Sequence, residues 1–453
     1  MLGGIDVEGV CGFCSRMGKG SIMIVAGTRP EAIKLAPVIW WLDRFNINYV
    51  FIWSGQHYDY ELSRVFFEQL DLPEPSLDLD VRSGSHAEQT AKIMVGVENT
   101  IKKFNPSIVV AQGDTNTTLA TALASVKTFT PFAHVEAGLR SWDRTMPEEI
   151  NRIIADTIAE LNFAPSWLAA VNLIHSGIPL RKIFITGNTI VDVVYRYEST
   201  VDEEGEKMVK ELNLEPEKFA LVTVHRQENT DIVWRLENIV KALIELSKHI
   251  PIVFPAHPRT VNRLQHYGLL DTLKNHAILI KPLGYFQFLG LLKNSAVVLT
   301  DSGGVQEEAC ILGVPTVTLR YNTERPETVL AGTNVVVGVE VDGVVTSTLS
   351  TLMRRSEIAK KRGCLNLIGD GTAGEKIAKI LKEFKDRVTV ESSDAREDPY
   401  VVHALVESIP QDNFFDIVAM YDENGFPVFE LSKARRFLVK VPRSRLLEWL
   451  KNR

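Results

Sequence analysis

Ser21-Ile-Met-Ile-Val-Ala26 runs straight into Gly27-Thr28-Arg29-Pro30-Glu31, and from Glu31 to Leu42 the apolar residues return at helical spacing. An apolar run without alternation, a glycine turn and an amphipathic helix make one strand–turn–helix unit. The lack of alternation suits a strand covered on both faces. Outward from this unit the pattern repeats. Tyr49 to Trp53 reads as a strand, Tyr60 to Leu70 and His86 to Phe104 as helices, Ser107 to Ala111 and Pro131 to Val135 as strands, and a helix opens at Pro147. Between Thr186 and Glu217 the pattern loosens into an acidic stretch, Asp202-Glu-Glu-Gly-Glu206. A second set of strands follows at Phe219–Val224, Pro251–Phe254, Ala277–Ile280, Ala296–Thr300 and Thr316–Leu319. Such alternation implies an α/β fold, here two Rossmann-like, doubly wound domains with a ligand cleft between them.

A chain of 453 residues is too long for one ordinary core. The expected layout is an N-terminal extension over 1–20 and a first Rossmann-like domain over 21–190, with 365–388 packing back on it. A second domain covers 191–364, a polar linker 389–399, and a small basic α+β module 400–453. Within that module Tyr400 to Ile409 reads as a helix, and two apolar runs flank a turn at Asp422-Glu-Asn-Gly425.

The bulk chemistry excludes several classes. A hydrophobic fraction of 45% with 24% charged residues is that of a globular protein. The net charge of -7 argues against a general nucleic-acid binder. Four cysteines do not make a disulfide framework, so a reducing, cytoplasmic setting is expected. Cys11 and Cys14 form a lone C-x-x-C pair without the further ligands of a zinc site. No apolar run approaches the roughly 20 residues of a membrane span.

The chemistry gathers where strands end. Gly27 permits the tight turn after the first strand, Arg29 can fork onto phosphate oxygens, and Lys34 lies about one helical turn on. In Asp301-Ser-Gly-Gly-Val-Gln-Glu-Glu308 the pair Gly303-Gly304 lets the backbone approach a ligand, free N–H groups attract an anion, and Ser302 adds a hydroxyl. Glu308, one turn in, can accept bonds from sugar hydroxyls. Asp114, Glu136 and Glu148 sit in neighbouring strand-end segments, and His225 and His257 follow strands of the second half. Carboxylates gathered together are costly unless paired or used, and a set with separated pKa values supplies both an acid and a base. Neither a G-x-G-x-x-G nor a G-x-x-x-x-G-K-[ST] loop is present, which disfavours resident NAD and ATP hydrolysis. No H-E-x-x-H motif or compact cysteine–histidine set points to a metal, although a Mg²⁺ bridging a diphosphate needs only one or two carboxylates.

Taken in order, GTRPEAIK (27–34), GDT (113–115), HVEAGLR (134–140), PEEINR (147–152), HRQEN (225–229), DSGGVQEE (301–308), TERPE (323–327) and GTN (332–334) resemble the non-hydrolysing UDP-N-acetylglucosamine 2-epimerases. The resemblance spans roughly residues 21 to 388. It implies a glycosyltransferase-B-like fold, a homodimer, a UDP-N-acetyl sugar as substrate, and no cofactor. Carried over residue by residue, it implies that Arg29, His225, Ser302, Gly303 and Gly304 hold the diphosphate and that Glu308 binds the ribose. Lys34 and Arg325 line the pocket. Asp114, Glu136 and Glu148, with His225, are the catalytic candidates. Bacterial members carry a substrate-activator site through Q-H-x-x-M and an arginine beside a glutamine. Here Gln56-His57 runs on as Tyr58-Asp-Tyr60, and Glu88 precedes Gln89.

The implied reaction eliminates UDP to leave a 2-acetamidoglucal and adds it back with carbon 2 inverted. Rival readings are a sister epimerase acting on a diacetamido-uronic acid, a hydrolysing epimerase, a glycosyltransferase of the same fold and a non-catalytic nucleotide-sugar sensor. The intact GTRPE segment counts against the hydrolysing class. The full set of carboxylates counts against the last two.

Overall fold

In the computed structural model, which describes residues 20–55, 66–82, 84–360, 365–394, 401–406, 416–421 and 436–442, the opening apolar run forms β1 (Ile22–Ala26), buried at every position. Its side chains alternate between two cores, as the two-residue strand period requires. Ile22, Ile24 and Ala26 join one cluster with the helix Arg29–Arg44, while Met23 and Val25 join another with the helices His86–Phe104 and Asn116–Lys127. A strand apolar on both sides belongs in the middle of a parallel sheet, and β1 lies there.

The first sheet continues through β2 (Tyr49–Trp53), β3 (Leu77–Asp78), β4 (Ile108–Gln112), β5 (Phe132–Val135), β6 (Leu161–Ala164) and β7 (Ile183–Ile185). Its order is β3-β2-β1-β4-β5-β6-β7, every pairing parallel. The second sheet uses β8 (Ala220–Thr223), β9 (Ile252–Pro255), β10 (Ile278–Ile280), β11 (Val297–Thr300), β12 (Thr316–Thr318) and β13 (Asn334–Val336). Its order is β10-β9-β8-β11-β12-β13, again parallel throughout. Strand order reverses between β1 and β4 in one sheet and between β8 and β11 in the other. Such reversals open a crevice at the carboxyl ends of the strands. The GTRPE, GDT, HRQEN and DSGG segments follow those four strands. The α/β architecture expected from the sequence is present.

The acidic stretch is helical rather than loosened. It lies in the helix Glu198–Glu211, whose Val201, Met208 and Val209 are buried. Gly205 explains its packing. A Cβ there would stand 2.8 Å from the carbonyl oxygen of Gly290, and one on Gly290 would stand 2.4 Å from the Gly205 nitrogen. The helix therefore crosses Tyr285–Lys293 backbone to backbone, which glycine alone permits. The last long helix, Ala373–Asp394, starts against the first half. Asp192 accepts the N–H groups of Ala373 and Gly374 at 3.2 and 2.9 Å, and a Cβ on Gly374 would lie 2.6 Å from the Pro37 backbone. Burial pushes the Asp192 carboxyl up to about 6 despite those two bonds.

The chain divides into two compact units at Asp386/Arg387. The expected linker is partly helix, since Ala373–Asp394 continues through residues 389–394. In the second unit Val401–Val406 is a strand, β14, and not the expected helix. With β15 (Asp416–Tyr421) and β16 (Arg436–Pro442) it forms an antiparallel sheet of order β14-β16-β15. Val-Val-His-Ala-Leu-Val is short, and its β-branched residues favour a strand. The turn at Asp422–Gly425, the start of the helix read from Tyr60, the Gln56–Tyr60 segment, residues 1–19 and Cys11 and Cys14 lie outside the described residues. Cys310 is disulfide-bonded, which the reducing setting expected from the cysteine count does not favour. Among the described residues no helix is long and apolar enough to cross a membrane.

Candidate active site

The site is built where β1, β4, β5, β8 and β11 run out into loops. Behind β1, Glu31 turns back into its own helix N-terminus and accepts the Gly27 N–H and the Thr28 hydroxyl, each at 2.9 Å. Its other oxygen accepts the Thr115 hydroxyl at 2.6 Å, tying the Gly27 turn to the loop that carries Asp114. Arg29 stands exposed beyond this turn, its guanidinium 6.0 Å from the Phe66 ring centre.

Asp114 follows β4 and pairs with Arg152 of the helix Pro147–Ile158. Arg152 also reaches Glu149 at 2.8 Å, and Asn151 donates to the Asp114 carbonyl at 2.9 Å. Burial works against the charge of Asp114, yet Arg152 holds its carboxyl below the usual carboxylate range. The turn before it is fixed from behind. His134 donates through Nε2 to the Gly113 carbonyl at 2.7 Å, and its Nδ1 lies 2.7 Å from Asp156.

Glu136 ends β5 at φ +68°, left-handed backbone that costs a non-glycine residue about 1–3 kcal/mol. Strain of that kind persists where the surroundings over-determine a side chain, and they do so here. Gln112 donates to one carboxylate oxygen of Glu136. Lys34 Nζ lies 2.5 Å and Arg325 Nη2 2.7 Å from the other. Burial raises Glu136, but Lys34 and Arg325 together hold it below the usual range. Lys34 is likewise kept above its ordinary value against burial, by Glu136 and Glu307.

Glu148 sits at the start of the helix Pro147–Ile158, its carboxylate part-exposed and 3.7 Å from Arg226 of the second half. Arg226 also reaches Glu324 at 3.4 Å. Burial opposes charge on Glu324, but Arg320, Arg325 and Arg226 hold it far below the ordinary range. Behind β8 and β11, buried Asp301 accepts the backbone N–H groups of His225 and Arg226 at 3.1 and 3.0 Å. This leaves the His225 side chain half-exposed, its Nδ1 3.4 Å from Asp301. Ser302 precedes the helix Gly303–Leu312 without capping it through its side chain. A Cβ on Gly303 would stand 2.4 Å from Glu324, whereas one on Gly304 would meet only the Ser302 hydroxyl oxygen, at 4.0 Å. The arrangement leaves bare N–H groups at a helix N-terminus, a seat for an anion. Glu308 is buried beside Tyr285, and burial pushes its carboxyl up to about 8. Among the described residues no cluster of His, Cys, Asp or Glu is arranged to hold a metal ion.

Lys34, Glu136 and Arg325 thus come into direct contact. Asp114, Glu148 and His225 stand in the same band of strand ends, each with its own partner, Ser302 stands among them, and Arg29 is exposed beyond the Gly27 turn. Motif reading passed over Arg152, Arg226, Glu307 and Glu324, which supply the opposite charges. Their signal was weak, because each lies inside a quoted motif beside a more conspicuous residue.

Residues 42–382 match the family model described as UDP-N-acetylglucosamine 2-epimerase. A protein of that name from Methanocaldococcus jannaschii is 45% identical, over 80% of this chain and 98% of its own length. The UDP-2,3-diacetamido-2,3-dideoxy-D-glucuronate 2-epimerase of Pseudomonas aeruginosa is 38% identical, over 80% and 99%. Among solved structures, the M. jannaschii UDP-GlcNAc 2-epimerase in complex with UDP-GlcNAc and UDP superposes with a TM-score of 0.74 at 45% identity, covering 80% of this chain and 99% of that one. The Neisseria meningitidis UDP-GlcNAc 2-epimerase bound to UDP-GlcNAc gives 0.73 at 32% identity, covering 80% and 100%.

Proposed function

The chain belongs to the UDP-N-acetylglucosamine 2-epimerase family, and from that premise we propose that it interconverts UDP-N-acetylglucosamine and UDP-N-acetylmannosamine. The observation that carries the reading is the band of charged strand ends. Asp114 and Glu136, both held below the usual carboxylate range, lie at strand ends of one sheet, and Lys34 beside Glu136 reaches Glu307 on the anion-seating helix Gly303–Leu312 of the other.

Carbon 2 of the sugar is not beside a carbonyl, so its proton cannot be lost by simple enolisation. It is lost as the bond from carbon 1 to the diphosphate oxygen breaks. The C–H electrons form the C1–C2 double bond of a 2-acetamidoglucal, and the C–O electrons leave with UDP. A carboxylate takes the proton, and fixed donors stabilise the departing diphosphate. Arg29, His225, Ser302 and the N–H groups of Gly303 and Gly304 hold that diphosphate. Glu308 meets the ribose hydroxyls, and Lys34 and Arg325 line the pocket beside it. Asp114, Glu136 and Glu148 supply base and acid on the two faces of the glucal. UDP then adds back as carbon 2 is reprotonated from the opposite face. The sequence is redox-neutral and draws on no cofactor. A homodimer and a cytoplasmic address belong to the same reading, and light scattering on the purified chain checks the first.

Chromatography of UDP-N-acetylglucosamine incubated with the protein tests the reaction. UDP-N-acetylmannosamine should accumulate to an equilibrium mixture without net release of UDP. Free N-acetylmannosamine with stoichiometric UDP would move the protein to hydrolysis, and an unchanged substrate that still binds would remove this sugar as the reactant.

A further inference from the structure

Glu307 is the residue on which both halves of the site converge. One of its oxygens lies 2.9 Å from Lys34 Nζ. The other lies 2.5 Å from Arg325 Nε and accepts the Asn188 side-chain amide at 2.7 Å. Lys34 and Arg325 both go on to Glu136 Oε1, at 2.5 and 2.7 Å. Four buried charges therefore close a square of alternating sign, with Lys34 and Glu136 from the first half and Arg325 and Glu307 from the second. Glu307 rides on the helix whose N-terminus is the glycine cradle.

Buried charges are tolerated when each has its partners and become costly when one is removed. Two carboxylates balance two cations here, so the square is neutral only when complete. Without Glu307, Lys34 and Arg325 would share Glu136 alone and would lose the group that holds them from behind. Glu136 already sits in left-handed backbone, so its carboxylate direction depends on what grips it. Resting on the epimerase reading, we propose that Glu307 is a positioning residue that sets Lys34 and Arg325 against Glu136, so that the meeting of the two halves aims the Glu136 carboxylate. Glu307 does not touch the sugar. It acts through the two cations.

A residue that merely helps the halves adhere would, when lost, weaken nucleotide binding and turnover together. Positioning makes a different demand, because Glu307→Gln leaves one uncompensated positive charge next to the diphosphate seat. For E307Q, kcat should fall on the order of 100-fold, as misplacement of a reacting group does, while UDP alone binds at least as tightly as to the wild type by calorimetry. Glu307→Asp, which keeps the charge on a shorter reach, should bring kcat back to about a tenth of the wild-type value. Wild-type kcat in E307Q, or UDP affinity falling in step with kcat, would overturn the role. Should E307Q fail to fold, E307D carries the test: kcat about tenfold down at unchanged UDP affinity supports positioning, and wild-type kcat overturns it. A wild type that leaves UDP-N-acetylglucosamine untouched would overturn the reaction itself and this role with it, whereas a wild type that turns over beside an unimpaired E307Q overturns the role alone.

Discussion

The mouths of the two sheets are made from the same element, a buried parallel strand running into a helix, yet they carry opposite chemistry. Behind β4 and β5 stand carboxylates, Asp114 and Glu136, each held ionised by a neighbouring cation. Behind β8 and β11 stand donors: the His225 ring, bare N–H groups and a glycine pair. The cations that balance the first mouth come partly from the second, since Arg325 reaches Glu136 and Arg226 approaches Glu148. Neither mouth is electrically complete alone. In the reaction we propose, proton transfer falls to one side and anion release to the other.

That contrast can be broken from either side. The largest effect is expected from Asp114→Asn, which removes a proton-transfer candidate and should lower kcat about 1000-fold while UDP affinity by calorimetry is retained. Equal loss of both would erase the division of labour. From the other mouth, Gly303→Ala places a Cβ 2.4 Å from Glu324. It should weaken UDP binding about tenfold through lost charge-assisted N–H contacts, with a smaller effect on the exchange chemistry of bound substrate.

Glu308 sharpens the comparison, because it is a carboxylate on the anion-seating side with no cation of its own. Its carboxyl stands at about 8 in the folded protein against an ordinary 4.5. The folded state thus holds a proton that the unfolded chain releases, so this residue costs stability increasingly as pH rises from 4.5 to 8 and costs none below that window. Glu308→Gln should raise the stability of the unliganded protein on the order of 4 kcal/mol at pH 8 and leave it unchanged at pH 4. It should also weaken UDP relative to inorganic diphosphate, which has no ribose. Thermal melts at the two pH values check the first part. The smallest effect is expected from Ser302→Ala, about 1 kcal/mol of UDP affinity for one neutral hydroxyl.

Much of the fold was legible because its central strands are apolar on both faces. β1, β2, β4, β5 and β8 to β12 stood out as short unbroken runs. The strands that escaped reading are short and end the sheets or break the run. Leu77–Asp78 has two residues, Asn162 interrupts Leu161–Ala164, and Ile183–Ile185 and Asn334–Val336 have three each. The acidic helix Glu198–Glu211 was missed because its order comes from the glycine crossing with Gly290, a tertiary fact that local composition does not carry. Tyr400 to Ile409 went to the wrong class because a short apolar run suits helix and strand alike. In the site, the strand-end motifs picked out the residues with conspicuous chemistry. Glu307 stayed invisible because its partners are Lys34, Asn188 and Arg325, far apart in sequence, and because Glu308 beside it looked the more useful carboxylate.

In the proposed reaction carbon 2 loses its proton as UDP departs and regains one as UDP returns. Proton NMR of UDP-N-acetylglucosamine incubated with the protein in D₂O tests it most directly. The carbon 2 proton signal should disappear from the UDP-N-acetylmannosamine formed and, as the reaction reverses, from the substrate pool. UDP-N-acetylmannosamine that keeps its carbon 2 proton through many turnovers in D₂O would contradict it.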